Sequence, residues 1–94
     1  MFVQEINFAT DDAEAMMALA SEWENDATQN GTVKGAYLGA DTDNPGQYSW
    51  MIMFESAEAA QQNSDRPETA EFSGRFSALC SEGPTFRNLE IIER

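Results

Sequence analysis

Residues 48–54, Tyr-Ser-Trp-Met-Ile-Met-Phe, decide the fold. The run reads as a β-strand, on which successive side chains point to opposite faces. Tyr48, Trp50, Ile52 and Phe54 then share one face, and Ser49, Met51 and Met53 share the other. Both faces are mostly apolar, so both need cover. The chain has 94 residues. That length suits one domain spanning 1–94 and is too short for two that fold alone. Either the chain wraps both faces, or a second copy or a ligand covers one.

The flanking sequence supplies cover for one face. Residues 2–9 form a first strand, with Phe2, Gln4, Ile6 and Phe8 on one face and Val3, Glu5 and Asn7 on the other. Asp11 followed by Glu14 fits a capping-box-like helix start. Met16, Leu19, Ala20, Trp23 and Ala27 recur at helical spacing up to the stop signal Asn30-Gly31. Val33–Ala40 reads as a second strand, in which Gly35 and Gly39 suggest a bulge or a close approach. Pro45-Gly46 suits the centre of a type II turn, so this strand and residues 48–54 form a hairpin. Ser56 caps a second helix that breaks at Asn63–Pro67. Pro67 disfavours helical geometry before it but suits the first turn of a new helix, capped by Ser64 or Asp65. Phe72, Phe76 and Leu79 follow on one face with Cys80 beside them. Gly83-Pro84 stops the helix, and Thr85–Glu93 is a fourth strand.

The order strand, helix, strand, strand, helix, strand predicts an α+β fold of the ferredoxin-like βαββαβ plan. Its four-stranded antiparallel sheet carries both helices on one face. Helices over Trp50, Ile52 and Phe54 leave Met51 and Met53 on the open side. Burial of each large apolar side chain is worth about 1.5–3 kcal/mol, and a contiguous apolar sheet face marks an interface. The expected partner is a second copy, packed sheet to sheet, with Met51 and Met53 in the dimer interface.

Composition removes several function classes. Seventeen acidic and 5 basic residues give a net charge of −12. No basic footprint exists for nucleic acid, and an anionic membrane surface would repel the chain. No run approaches membrane-spanning length. No signal peptide stands at the N-terminus, so the expected location is cytoplasmic. One cysteine excludes an intramolecular disulfide; on an apolar helical face, Cys80 reads as a buried inert thiol. The absence of histidine excludes a Cys/His metal site and a Ser-His-Asp triad. Asp41 and Asp43 near Asn44 lack the glutamate that would complete a calcium loop. No glycine-rich phosphate loop is present. The expectation is no metal and no cofactor.

This plan, with Phe54-Glu55-Ser56-Ala57-Glu58-Ala59-Ala60 after a hydrophobic strand, resembles the antibiotic-biosynthesis-monooxygenase-like family of small dimeric α+β barrels. The Asn63–Glu68 break and the closing Pro84–Glu90 segment also resemble uncharacterised members of that superfamily. The resemblance spans nearly the whole chain and implies a dimeric α+β barrel. Some members oxidise phenolic polyketides with oxygen and neither metal nor flavin; others degrade haem bound through a histidine, which this chain lacks. The quinone-forming members use an asparagine and a tryptophan four residues apart on the third strand, where this chain has Trp50 and Phe54. A tyrosine and an arginine of their pocket fall near Ala60 and Ser73. No catalytic residue carries over.

Two functional readings follow. Cofactor-free oxygenation needs a group that deprotonates an electron-rich substrate and groups that steady the anion. Glu5 and Asn7, sharing a strand face expected inside the fold, are the polar candidates; alternatively, Glu5 pairs with an arginine. Arg75 and Arg87 either bind an anionic group or form surface ion pairs. Trp23, Tyr37, Trp50, Phe54, Phe72 and Phe76 could line an apolar pocket for a small apolar or aromatic molecule, or could simply fill the core. The chain is thus either a monooxygenase-like enzyme or a non-catalytic dimeric ligand-binding or accessory module. An enclosed cavity holding Glu5 or Asn7 favours the first, and a core filled solid by Trp50, Phe54 and Phe76 favours the second.

Overall fold

A computed structural model describes residues 1–93. The elements run β1 (Phe2–Thr10), α1 (Ala13–Asn30), β2 (Gly35–Ala40), β3 (Gln47–Phe54), α2 (Ala57–Ser64), α3 (Pro67–Leu79) and β4 (Cys80–Glu90). The strands form one antiparallel sheet in the order β2-β3-β1-β4. This is the expected ferredoxin-like plan, with the second helix broken into α2 and α3.

The alternation along β3 partitions as its sequence demands. Trp50, Ile52 and Phe54 are at most 2% exposed. They pack with Ile6 and Phe8 of β1, Met16, Leu19 and Trp23 of α1, and Phe72 and Phe76 of α3. Met51, on the other face, is 36% exposed, and Met53 is half-buried. The core is therefore one layer between sheet and helices, and among the described residues no helix covers the opposite face. Among the described residues, no helix is long and apolar enough to cross a membrane.

Local chemistry fixes the boundaries, and several differ from the sequence expectation. Asp12, rather than Asp11, caps α1, accepting from the Ala15 N–H at 3.1 Å. Ser56 caps α2 through the Ala59 N–H at 3.1 Å, as expected. Neither Ser64 nor Asp65 caps α3. Arg66 stands there without a side-chain cap bond, and Pro67 follows in the first turn. Proline has no N–H to satisfy, so one of the donors that a cap would serve is already missing.

β2 starts at Gly35 and pairs with β3 in unbroken register, so its glycines mark no bulge. The hairpin closes as expected, with the Gln47 N–H donating to the Asn44 carbonyl at 3.1 Å and Gly46 at φ 89°. The largest difference lies at β4. Cys80 belongs to this strand rather than to a helical face, because the backbone turns extended there (ψ 131°). The Thr10 hydroxyl, on a residue only 5% exposed, donates to the Leu79 carbonyl at 2.7 Å and ties the helix end to β1. Gly83-Pro84 then lies inside β4, where the register against β1 slips. Gly83 has φ 78°, and a Cβ there would stand 2.9 Å from the Asn7 carbonyl oxygen, so only glycine fits.

Candidate functional site

The aromatic side chains pack against one another before they face any ligand. Trp23 stacks on Phe72 with centroids 5.1 Å apart, and Trp50 meets Trp23 and Phe72 edge-on at 5.4 and 5.6 Å. Phe76 continues the stack at 5.5 Å from Phe72 and contacts Phe8 at 4.9 Å. These distances are those of favourable aromatic pairs. Trp23, Trp50, Phe72 and Phe76 are core first, as one of the two sequence readings held for them.

One edge of this core is open. A cleft of about 320 Å³ lies between α3, the end of α2 and the inner face of β1 and β4. Trp23, Phe72 and Phe76 form walls, Ile6 and Ile52 lie at the sheet side, and Phe86 of β4 joins them. Gln4, Asn63 and Ser73 add neutral hydrogen-bonding groups. The volume sits at the small end of ligand pockets. Among the described residues, none of those lining the cleft is charged. By contrast, a neighbouring groove of about 260 Å³ between α1 and α3 is flanked by Glu22, Asp26, Glu68, Glu71 and Arg75. Trp23 and Phe72 line both and stand between the two.

The expected pocket residues divide into three groups. Trp23, Phe72 and Phe76 line the cleft. Trp50 and Phe54, 0% and 2% exposed, lie in the core beyond it. Tyr37 belongs to neither. It pairs with Met51, stands on the uncovered face and is 68% exposed. Its alternation from the half-buried Leu38 dictates that placement, which corrects the pocket assignment for this residue. The other lining residues were missed, Gln4, Phe86 and Asn63 among them. Gln4 carried a signal, as a polar side chain on the apolar face of the first strand. Phe86 sits opposite Ile6 and so faces the helices, a register that alternation within one strand does not reveal. Asn63, only 3% exposed, lies in what read as a polar break.

Glu5 and Asn7 do share a face, but it is the one turned away from the helices. Glu5 pairs with Met51 and Arg87, and Asn7 with Ser49 and Thr85. The Asn7 amide donates to Glu5 Oε1 at 3.1 Å, and the Ser49 hydroxyl donates to Asn7 Oδ1 at 2.6 Å. Arg87 Nη1 lies 3.5 Å from Glu5 Oε1. The expectation that they lie inside the fold is therefore corrected: a full sheet thickness separates both from the cleft. The alternative pairing of Glu5 with an arginine is the one observed. Arg75 holds Glu22 through two bonds at 3.0 and 3.2 Å, which lower the Glu22 carboxyl below its ordinary value.

Two further titratable groups bear on chemistry. Burial pushes the Glu24 carboxyl on α1 above its ordinary value. The Trp50 indole N–H, which meets no acceptor at full hydrogen-bond geometry, offsets part of that push. Burial also raises the Cys80 thiol, keeping it protonated and unreactive. Among the described residues, no group of His, Cys, Asp and Glu is arranged to hold a metal ion.

The sequence matches no family model and no curated protein. Solved structures do match over nearly the full chain. An antibiotic biosynthesis monooxygenase superposes with a TM-score of 0.81 at 12% identity, covering 99% of this chain and 100% of the other. Rv0793 from Mycobacterium tuberculosis gives 0.84 at 14% identity, covering 99% and 96%. SnoaB, a cofactor-independent oxygenase from Streptomyces nogalater crystallised as a point mutant, gives 0.84 at 13% identity, covering 99% and 95%. At these identities the likeness is one of fold. The chain has the α+β fold of the antibiotic biosynthesis monooxygenase structures.

Proposed function

We propose that this protein is a single-domain, cytoplasmic homodimer that binds a small apolar or aromatic molecule in the cleft between its helices and sheet, without a cofactor. The observation that carries this reading is the cleft itself: aromatic walls, a few neutral polar groups and a volume of about 320 Å³. Ligand sites combine apolar walls with few polar anchors in this way. Trp23, Phe72 and Phe76 serve as walls, while Trp50 and Phe54 hold them from behind. Met51 and Met53 on the open face serve as dimer contacts, because an uncovered apolar sheet face marks an interface.

Binding is favoured over catalysis by the same geometry. Proton abstraction requires a base within hydrogen-bond reach of the substrate. Glu5 and Asn7, the candidates for that role, face the other way. The second reading, a cofactor-independent monooxygenase-like reaction, draws its support from the shared fold with a cofactor-independent oxygenase. Under it the cleft would still hold the substrate.

A titration with naphthalene tests the cleft. Trp23 lies in its wall, so saturable quenching of tryptophan fluorescence is expected. Ser73→Leu, a change at an exposed lining position, should weaken binding at least about ten-fold by filling the cleft. Absence of saturable binding, or equal binding by the variant, would contradict the reading.

A further inference from the structure

Charge is distributed around this cleft in a way that specifies its ligand further. The chain carries 17 acidic and 5 basic residues among 94, so a lining of twelve would ordinarily include two or three charges. Among the described residues it includes none. Two cations stand on the helical side, and neither lines the cleft. Arg66 is bound to Asp26 at 2.9 Å with Glu68 at 3.6 Å, its buried Nη1 left without a partner, and Arg75 is bound to Glu22 at 3.0 Å. Nothing in the lining compensates a charge brought into the cleft, and moving an unpaired ion out of water is costly. The net charge of −12 adds a long-range penalty for anions.

The lining is also not pure hydrocarbon. Gln4 on β1 and Ser73 on α3 reach the cleft from opposite layers, and Asn63 lies at the α2 end. Phe86 is 57% exposed on the inner face of β4. Among the described residues, no helix covers this flat apolar surface. A planar ligand laid against Phe86 would place its rim near these neutral polar groups.

Resting on the proposal that the cleft binds a small molecule, we propose that its ligand is an uncharged planar molecule bearing a neutral hydrogen-bonding group, such as a carboxamide or ketone, and that the cleft rejects the matching carboxylate. Gln4 is the residue that would read the polar group, and Phe86 the surface that would hold the ring.

Equilibrium dialysis with three probes of one ring size tests this: naphthalene, 2-naphthamide and 2-naphthoate. The amide should bind at least about ten-fold more tightly than the carboxylate. That preference should persist at about 0.5 M salt, where long-range fields are screened but desolvation is not. Gln4→Leu should bring the amide down to the level of naphthalene, and Phe86→Ala should weaken the amide and naphthalene alike. Equal binding of amide and carboxylate, or a preference that vanishes in salt, would overturn the inference. So would naphthalene binding as tightly as the amide to the unaltered protein. Failure of all three probes would instead remove the reading of the cleft as a binding site.

Discussion

Trp50 shows how one residue can anchor a fold. It is fully buried at the centre of β3 and touches Trp23, Phe72 and Phe76. The sequence made that burial legible, because alternation placed Trp50 with Ile52 and Phe54. The sequence could not show that its indole N–H stands near a half-buried carboxylate from another element. Glu24 has its pKa raised by burial, so the folded state binds its proton more tightly than the unfolded chain does. The sign follows from linkage: the charged form carries a penalty at neutral pH. That penalty is relieved as pH falls through the raised folded value and is gone below the ordinary one. Glu24→Gln should therefore raise the thermal unfolding midpoint at pH 7. The gain over the parent should shrink towards zero near pH 4, as followed by circular dichroism. A gain that grew on acidification would contradict this account.

At the scale of elements, hydrophobic periodicity and capping chemistry made every helix and strand legible, but not every boundary. The α2 start was readable because Ser56 satisfies an otherwise orphan N–H. Ser56→Ala should cost about 0.5–2 kcal/mol in urea unfolding, and Ser56→Asp should restore most of it. No loss in the alanine variant would mean that packing alone sets the helix start. The α3–β4 junction was less readable. Gly83-Pro84 carries a helix-stop signal, yet it serves a bulge inside β4, while the helix ends four residues earlier through the Thr10–Leu79 bond. A contact spanning 69 positions leaves no local trace in the sequence. The candidate site suffered from the same blindness. Trp23, Phe72 and Phe76 were visible from periodicity, whereas Phe86 depended on cross-strand register and Asn63 on how two helices meet. Glu5 and Asn7 were correctly placed on one face, but the inside of the fold was assigned to the wrong side of β1.

For the molecule as a whole, the helices cover one of the two apolar faces of residues 48–54, and the other is the face proposed to meet a second copy. Val3, Met51, Met53, Tyr37 and Leu89 share the uncovered face with the Glu5–Asn7–Ser49 network and Arg87. Of these, Tyr37 and Met51 are exposed, at 68% and 36%. On the proposed reading, one sheet face forms the cleft and the other meets a second copy of the chain. Light scattering coupled to gel filtration at micromolar concentration tests it most directly. The predicted mass is twice 10.4 kDa, and Met51→Lys, which brings a charge into the apolar interface, should reduce it to one chain's mass while the helical signal is retained. A mass of 10.4 kDa for the unaltered protein would contradict the account.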